Sequence, residues 1–495
     1  FRDLVNNTNL ASTAVPLREI DDVIPPEPLN GTLNLDQNTT TLPTFVQTSG
    51  KDVLCNPALA SCGVLSLRFS EILNISTTDA QHLSTALIQV GVLPRTGTTA
   101  FGVFTLDPLP LSLELRSLNQ VTFTTLFFAM TEALRVALIR FTQNGQLTAV
   151  IDTQANAVRD VAFNPNAQAQ NILLDVVPDT TRPSIHSATL NYSTGIVLMT
   201  FTETIDVPLG WSTTTNLQHV HLQTNSAPSN NGTGTISMQG AFVTVRDSHV
   251  VEITLVEEQR ARAIALSGVV GGDGASLVLD MFAPLNGIDH AFQDIATNPT
   301  LPRLNVPVLE YPDVVLPTLL GININYMTGL LMFTFDETID TTPAAVTVLL
   351  SEIAMIDWRG TNTYALDTYT GADIVEIDGV TLNMTLQSRQ RWALLSIYDS
   401  SVEQHLLTGI AVDFPVRAIV QPTAFRDLAN NTMTGGVNDL NVSDTGGSYT
   451  VRAVTAILSD VGEGHIASYG YEKLFSFNGS GISLGLVADQ AKFVP

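Results

Sequence analysis

The chain has 495 residues, room for about three domains of ordinary size, and its 47 acidic residues against 22 Lys and Arg give a net charge of −25. That balance argues against nucleic acid as a partner, because phosphate binding needs a basic patch, and disfavours an anionic membrane surface. With 44% hydrophobic and only 14% charged residues the chain is not a disordered segment, and its 90 Ser and Thr point to a surface covered by sugar or by neighbouring subunits, outside the cell in either case.

In chain order, residues 1–26 open on an Asp-centred turn, FRDLVNN, and read as the end of a preceding unit. No basic, apolar leader is present, which is compatible with one having been removed. Residues 27–178 read as a first full unit. Its Pro/Thr-rich stretches, 23–32 and 38–49, are candidates for O-linked sugar. Cys55 and Cys62 lie seven apart in one loop, and a local disulfide is the expectation; no CxxC pair or His/Cys set suggests zinc. The most apolar stretch, VTFTTLFFAMTEALRVALIRF at 121–141, is interrupted by Glu132 and Arg135. It is expected to be a strand followed by a short helix, not a membrane span.

Three landmarks then recur. An apolar strand closes in Phe-x-Glu: GVLSLRFSEIL (63–73), GIVLMTFTETID (195–206) and GLLMFTFDETID (329–340). An Asp turn recurs as FRDLVNN, VRDVAFN, FQDIATN and FRDLANN. A Pro-Asp joint recurs at Pro178-Asp179 and Pro312-Asp313, with Pro26-Glu27 taken as equivalent. Phe69 to Phe201 is 132 residues, Phe201 to Phe335 is 134, and Asp160 to Asp294 is 134. A period near 133 is the size of a domain and too long for a solenoid repeat. Units at 179–312 and 313–445 follow, and 446–495 reads as the start of a further unit or an assembly segment. The first unit carries about 20 extra residues between joint and Phe-x-Glu strand, and these hold both cysteines.

Each unit reads as short Val/Ile/Thr/Phe-rich strands separated by Gly, Asn, Asp or Pro, with one helical turn late in the unit where Arg135, Arg262 and Arg391 recur. The expected fold is all-β, a tandem array of immunoglobulin-like sandwiches. With TFTETID, a long stretch, FRDLANN and a PDTTRP-like joint, the chain resembles the bacterial Ig-like repeats of surface-layer and adhesin proteins. Their Ala-Gly-Asn turn has Ala429-Asn430-Asn431 here, and Thr297 or Phe163 in place of its glycine in other copies. It also resembles the tubular-hair (mastigoneme) glycoproteins of algal flagella.

Candidate sites are sparse. Glu71, Glu203 and Glu337, with Asp206, Asp340, Asp160, Asp294 and Asp427, could supply calcium with oxygens at the joints, or they cap turns. His219 and His221, two apart, are expected on one strand face. Gly481-Ile-Ser483-Leu-Gly485 fits G-x-S-x-G, but no His follows it, so no catalytic residue, cofactor site or metal site is assigned. Ten Asn-x-Ser/Thr acceptors stand at Asn6, Asn30, Asn38, Asn74, Asn191, Asn231, Asn383, Asn430, Asn441 and Asn478, where composition alone gives about six. The expected function is non-enzymatic: a structural subunit of an extracellular glycosylated filament, partnered by copies of itself and by covalent glycans. The alternative is an adhesin stalk.

Overall fold

The computed structural model describes residues 20–36, 63–74, 88–94, 123–130, 132–142, 147–207, 217–224, 234–272, 274–282, 291–357, 359–366, 372–408, 416–433, 438–444, 450–452, 474–478 and 481–484. Cys55, Cys62, Asn6, Asn38 and Asn231 lie outside them.

The first unit contains β1 (Pro28–Asn34), β2 (Val64–Leu73), β3 (Ile88–Pro94), β4 (Phe123–Ala129), helix α1 (Glu132–Thr142), β5 (Leu147–Thr153) and β6 (Ala169–Val177), in the sheet order β3-β5-β6-β1-β2-β4. The apolar stretch at 121–141 is therefore a strand and a short helix, and no described helix is long and apolar enough to cross a membrane. The second unit contains β7 (Ile185–Asn191), β8 (Ile196–Ile205), β9 (Val220–Thr224), β10 (Thr235–Ser237), β11 (Phe242–Val243), β12 (Ser248–Thr254), helix α2 (Glu257–Ala265), β13 (Leu277–Met281) and β14 (Arg303–Tyr311). The third repeats this order: β15 (Leu319–Asn325), β16 (Leu330–Ile339), β17 (Ile353–Asp357), β18 (Thr363–Ala365), β19 (Asp373–Ile374), β20 (Gly379–Thr385), helix α3 (Ser388–Thr408), β21 (Val416–Val420) and β22 (Asn438–Asp444). A three-stranded sheet, β23 (Thr450–Arg452), β24 (Leu474–Asn478) and β25 (Gly481–Leu484), follows.

The strand order is that of an immunoglobulin-like sandwich. One layer runs β7-β8-β12-β11, the other β10-β9-β13-β14. A single strand joins them: residues 303–307 of β14 pair antiparallel with β13, and residues 308–311 pair parallel with β7. Strand β8 shows why the pattern folds this way. Val197, Met199 and Phe201 alternate inward and are fully buried, each side chain contributing about 1.5–3 kcal/mol of burial. Glu203 is the next inward position, so Phe-x-Glu carries an acid on the core face of a strand end. Among the described residues three cores result, around Phe69, around Phe201 with Phe292, and around Phe335 with Phe425.

Two sequence expectations differ from the structure. The connection from Asn34 to Val64 is 25 residues longer than that from Asn191 to Ile196, not 20, and it replaces the first hairpin turn. His219 ends a 3-10 turn while only His221 lies on β9. His221 is held by the Gln218 carbonyl at 2.7 Å and the edge of Phe282, so the two histidines share no strand face.

The Asp turns explain the departure from Ala-Gly-Asn. Phe163, Thr297 and Asn430 all adopt a left-handed backbone, with φ of 68°, 67° and 67°. An L side chain costs about 1–2 kcal/mol there, and glycine would return part of that as chain entropy. Thr297 is exposed. The variant Thr297→Gly should therefore raise the stability of the second unit by about 1 kcal/mol. Chemical denaturation checks this, and a lower midpoint would contradict it.

Candidate functional site

The distinctive chemistry lies at the joints. Each Asp turn closes on itself: Asp294 accepts the Asn298 backbone N–H at 2.7 Å and its side-chain amide at 2.9 Å. The Asn298 amide also donates to the Asp179 carbonyl at 3.2 Å, tying the turn to the linker. Asn431 does the same for Asp427 and the Asp313 carbonyl, and Asn164 for Asp160 and the Asp22 carbonyl. The joint position of the first unit is thus Asp22, not Pro26-Glu27. The available signal was Pro26, which stands four residues after Asp22 as Pro183 and Pro317 stand after Asp179 and Asp313.

Backbone bridges place Asp160, Asp294 and Asp427 against Leu73, Ile205 and Ile339, at the ends of the Phe-x-Glu strands. Three carboxylate trios follow: Asp22–Glu71–Asp160, Asp179–Glu203–Asp294 and Asp313–Glu337–Asp427, each with oxygens within 4.8 Å of one another. Asp206 and Asp340 do not belong to them. Instead they lie by Asp247 and Asp378.

The second and third trios each receive an arginine from the preceding unit. Arg135, on α1, is bidentate to Glu132 of its own helix at 2.7 and 2.8 Å. It donates to the Leu35 carbonyl at 3.2 Å, to Asp179 at 2.5 Å and to Glu203 at 3.2 Å. Glu132 in turn accepts the Thr204 N–H across the joint at 3.1 Å. Arg260, on α2, repeats each contact, with Glu257, the Tyr192 carbonyl, Asp313 and Glu337, and Glu257 accepts the Thr338 N–H at 2.8 Å. Arg260 is the recurring arginine; Arg262 instead turns outward to the Thr235 carbonyl. The Glu-x-x-Arg spacing shared by α1 and α2 distinguishes them in the sequence.

Apolar contacts complete each joint. Ile295, one residue beyond Asp294, is buried in the core of the first unit, and Leu428 packs on the core of the second. There Gly271, at φ 93°, lets the Leu428–Ala429 backbone approach so closely that a Cβ would lie 2.0 Å from the Leu428 carbonyl oxygen. Arg140 and Asp247 form a further ion pair across the first joint.

Four carboxylates face one guanidinium, and the titration of the site follows. Burial pushes Glu203 up to about 9, with Arg135 opposing and Asp179, Asp294 and Glu132 adding to the rise. Burial likewise raises Glu337 to about 7 and Asp294 to about 6. Glu203 and Glu337 each keep one buried oxygen without a hydrogen-bond partner among the described residues. Glu132 and Glu257 are held low against their burial by the hydrogen bonds of Arg135 and Arg260.

Among the acceptor asparagines, Asn30 and Asn430 are exposed and Asn74 and Asn191 half-buried, the Asn191 oxygen capping its own turn through the Ser193 N–H. Asn383 lies within β20 with its side-chain oxygen buried. Asn441 lies on β22 and Asn478 on β24. Gly481 and Ser483 lie on β25, a strand paired with β24, and the rest of G-x-S-x-G lies outside the described residues.

No family model and no curated protein matches the chain. Among solved structures it is similar to a marsupial T cell receptor at 7% identity, over 77% of this chain and 94% of that one, with a TM-score of 0.15. It is similar to two Dscam structures as well. One, on Dscam isoform specificity, is 8% identical over 86% of this chain and 79% of that one (TM-score 0.14). The other, the N-terminal four Ig domains of Dscam1 isoform 9.44, is 9% identical over 87% and 80% (TM-score 0.14). The assignment of the fold rests on the strand order.

Two outcomes follow. Removing Arg260 leaves two buried acids, Asp313 and Glu337, without their cation, so Arg260→Ala should destabilise the second joint by about 3–5 kcal/mol, seen as a lower melting temperature and faster proteolysis near Pro312. Because the Glu203 carboxyl is raised in the folded state, its stability contribution is present in acid and lost as pH climbs toward 9. Glu132 and Glu257, held low, contribute above the ordinary carboxylate range and are lost in strong acid. In chelator-treated protein the melting temperature should fall between pH 6 and 9. Glu203→Gln should flatten that slope and melt higher at pH 9 by about 2–4 °C; an unchanged slope would contradict the assignment.

Proposed function

We propose that the chain is a structural subunit of an extracellular, glycosylated filament or surface appendage of the mastigoneme-like kind, assembling through its Ig-like units with copies of itself. The observation that carries this reading is the repetition of one joint. The same arginine enters the same acid trio at both inner joints, and the same Asp turn locks the linker. A chain that fixes successive domains by one rule is suited to transmitting form along an array. Sparse charge, 90 Ser and Thr, and exposed acceptors at Asn30 and Asn430 support a sugar-covered surface. The adhesin stalk shares the tandem units and differs in lacking self-assembly.

Electron microscopy of native material should show fibres containing this chain, whereas dispersed single molecules would favour the stalk. Mass spectrometry of the native chain should show sugar on at least three of the ten acceptors. A mass at the bare 53.1 kDa for these residues would overturn the glycoprotein reading.

A further inference from the structure

The two inner joints hold more negative charge than their arginines answer. Glu132, Asp179, Glu203 and Asp294 gather around Arg135, and Glu257, Asp313, Glu337 and Asp427 around Arg260. Within each trio the arginine serves two members. Arg135 donates to Oδ2 of Asp179 and Oε2 of Glu203, and Arg260 to Oδ2 of Asp313 and Oε2 of Glu337. The third member is held by neutral donors of its own turn: Asp294 by Asn298 and Asp427 by Asn431. Among the described residues neither Asp294 nor Asp427 forms an ion pair.

A second observation concerns one atom. Glu203 is 0% exposed, and its Oε1 has no hydrogen-bond partner among the described residues, although its Oε2 accepts Arg135. Glu337, 6% exposed, repeats this atom for atom, with Oε2 on Arg260 and Oε1 unpartnered. A buried carboxylate oxygen left unpaired is costly, and native structures keep few of them. Its recurrence at the same strand position of two units makes it part of how the joint is built.

The spacing and chemistry of the donors define what would satisfy that oxygen. In each trio the three carboxylates bring oxygens within 4.8 Å of one another. Oxygens bound to one calcium ion at 2.3–2.6 Å stand at most about 5 Å apart. The donors are all carboxylates, with no His or Cys among them, which selects a hard cation over zinc or copper. Carboxylate oxygens that already accept one hydrogen bond keep a further lone pair for an ion. A proton would neutralise one acid of the trio, whereas a divalent ion draws on all three. Calcium tolerates an irregular set of ligands, while magnesium demands a near-ideal octahedron and gives up its water reluctantly.

We propose that the trios Asp179–Glu203–Asp294 and Asp313–Glu337–Asp427 each bind one calcium-sized divalent cation beside the arginine. The ion would tie the linker, the strand end and the Asp turn of one unit together, at the place where the arginine brings in the helix of the preceding unit. The site goes beyond the filament reading and does not depend on it.

Equilibrium dialysis against calcium tests the proposal, on the full chain after chelator treatment at neutral pH. The variants are Glu203→Gln, Glu337→Gln and their combination, with Glu258→Gln as an exposed acid outside the trios. Each single variant should bind one ion fewer than the full chain, the double variant two fewer, and Glu258→Gln the same number. Saturating calcium should raise the melting temperature of the full chain by at least about 5 °C, and that of the double variant by less. Magnesium should need at least about tenfold higher concentration. Melts in chelator establish that each variant folds; where a glutamine variant does not, Asp294→Asn or Asp427→Asn tests the same trio. A full chain that takes up no calcium, or trio variants that bind as many ions as it does, overturns the site. Uptake without a change in melting temperature places the ions elsewhere on the acidic surface and overturns it equally. Equal affinity for magnesium overturns the choice of a calcium-sized ion.

Discussion

A guanidinium surrounded by carboxylates governs how this chain is put together. A flat cation with five donors in a fixed fork can engage its own helix, a carbonyl of its own unit and two acids of the next unit at once. Arg135 does all four, and Arg260 does the same one unit later. Desolvating these charges costs much of what their attraction returns, so the net stability of such a cluster is small. Its effect is on specificity: shifting or rotating the next unit would leave several buried charges without partners.

That constraint reaches back into the fold of each unit. The acid it needs must project from a strand end toward the joint, so the inward alternation of β8 continues past Phe201 to Glu203. A second acid must stand beside it, and the Asp turn supplies it by bridging Asp294 to Ile205. The turn tolerates Phe163 or Thr297 in a left-handed backbone because Asp and Asn clamp it from both sides. The third acid comes from the linker, fixed by the asparagine of the same turn. Residues far apart in the chain thus meet because each ends an element at the same end of the sandwich.

The sequence shows the period, the all-β class and most of the acids, since Phe-x-Glu and the Asp turn are local patterns that repeat nearly unchanged. Asp22 was obscured because it lacks a preceding proline and because Pro26-Glu27, four residues on, imitates the joint. Arg262 masks Arg260 in the sequence because its spacing to the other arginines, 127 and 129, is the more regular. The helix starts at a different distance from the strand in each unit, so spacing between units misleads where spacing within the helix does not. The contacts between arginine and trio were not legible at all. Nothing in a linear pattern tells that the late helix of one unit faces the strand ends of the next.

The long insertion in the first unit shows how little of a unit the joint requires. It replaces the tight turn between the first two strands, which at the second joint contributes the Tyr192 carbonyl to Arg260 and the Ser193 hydroxyl to the Val314 N–H. At the first joint the root of the insertion takes over both duties. The Leu35 carbonyl receives Arg135, and Asp36 accepts the hydroxyls of Thr180 and Thr181 at 3.1 and 2.5 Å. Among the described residues of this connection, those adjoining β1 and β2 touch the joint, and lengthening a connection adds closure entropy only slowly, about 0.6 kcal/mol per doubling. The contacts of Leu35, Asp36 and Gly63 with Arg135, Thr180 and Thr181 thus reproduce at the first joint what a five-residue step between strands provides at the second.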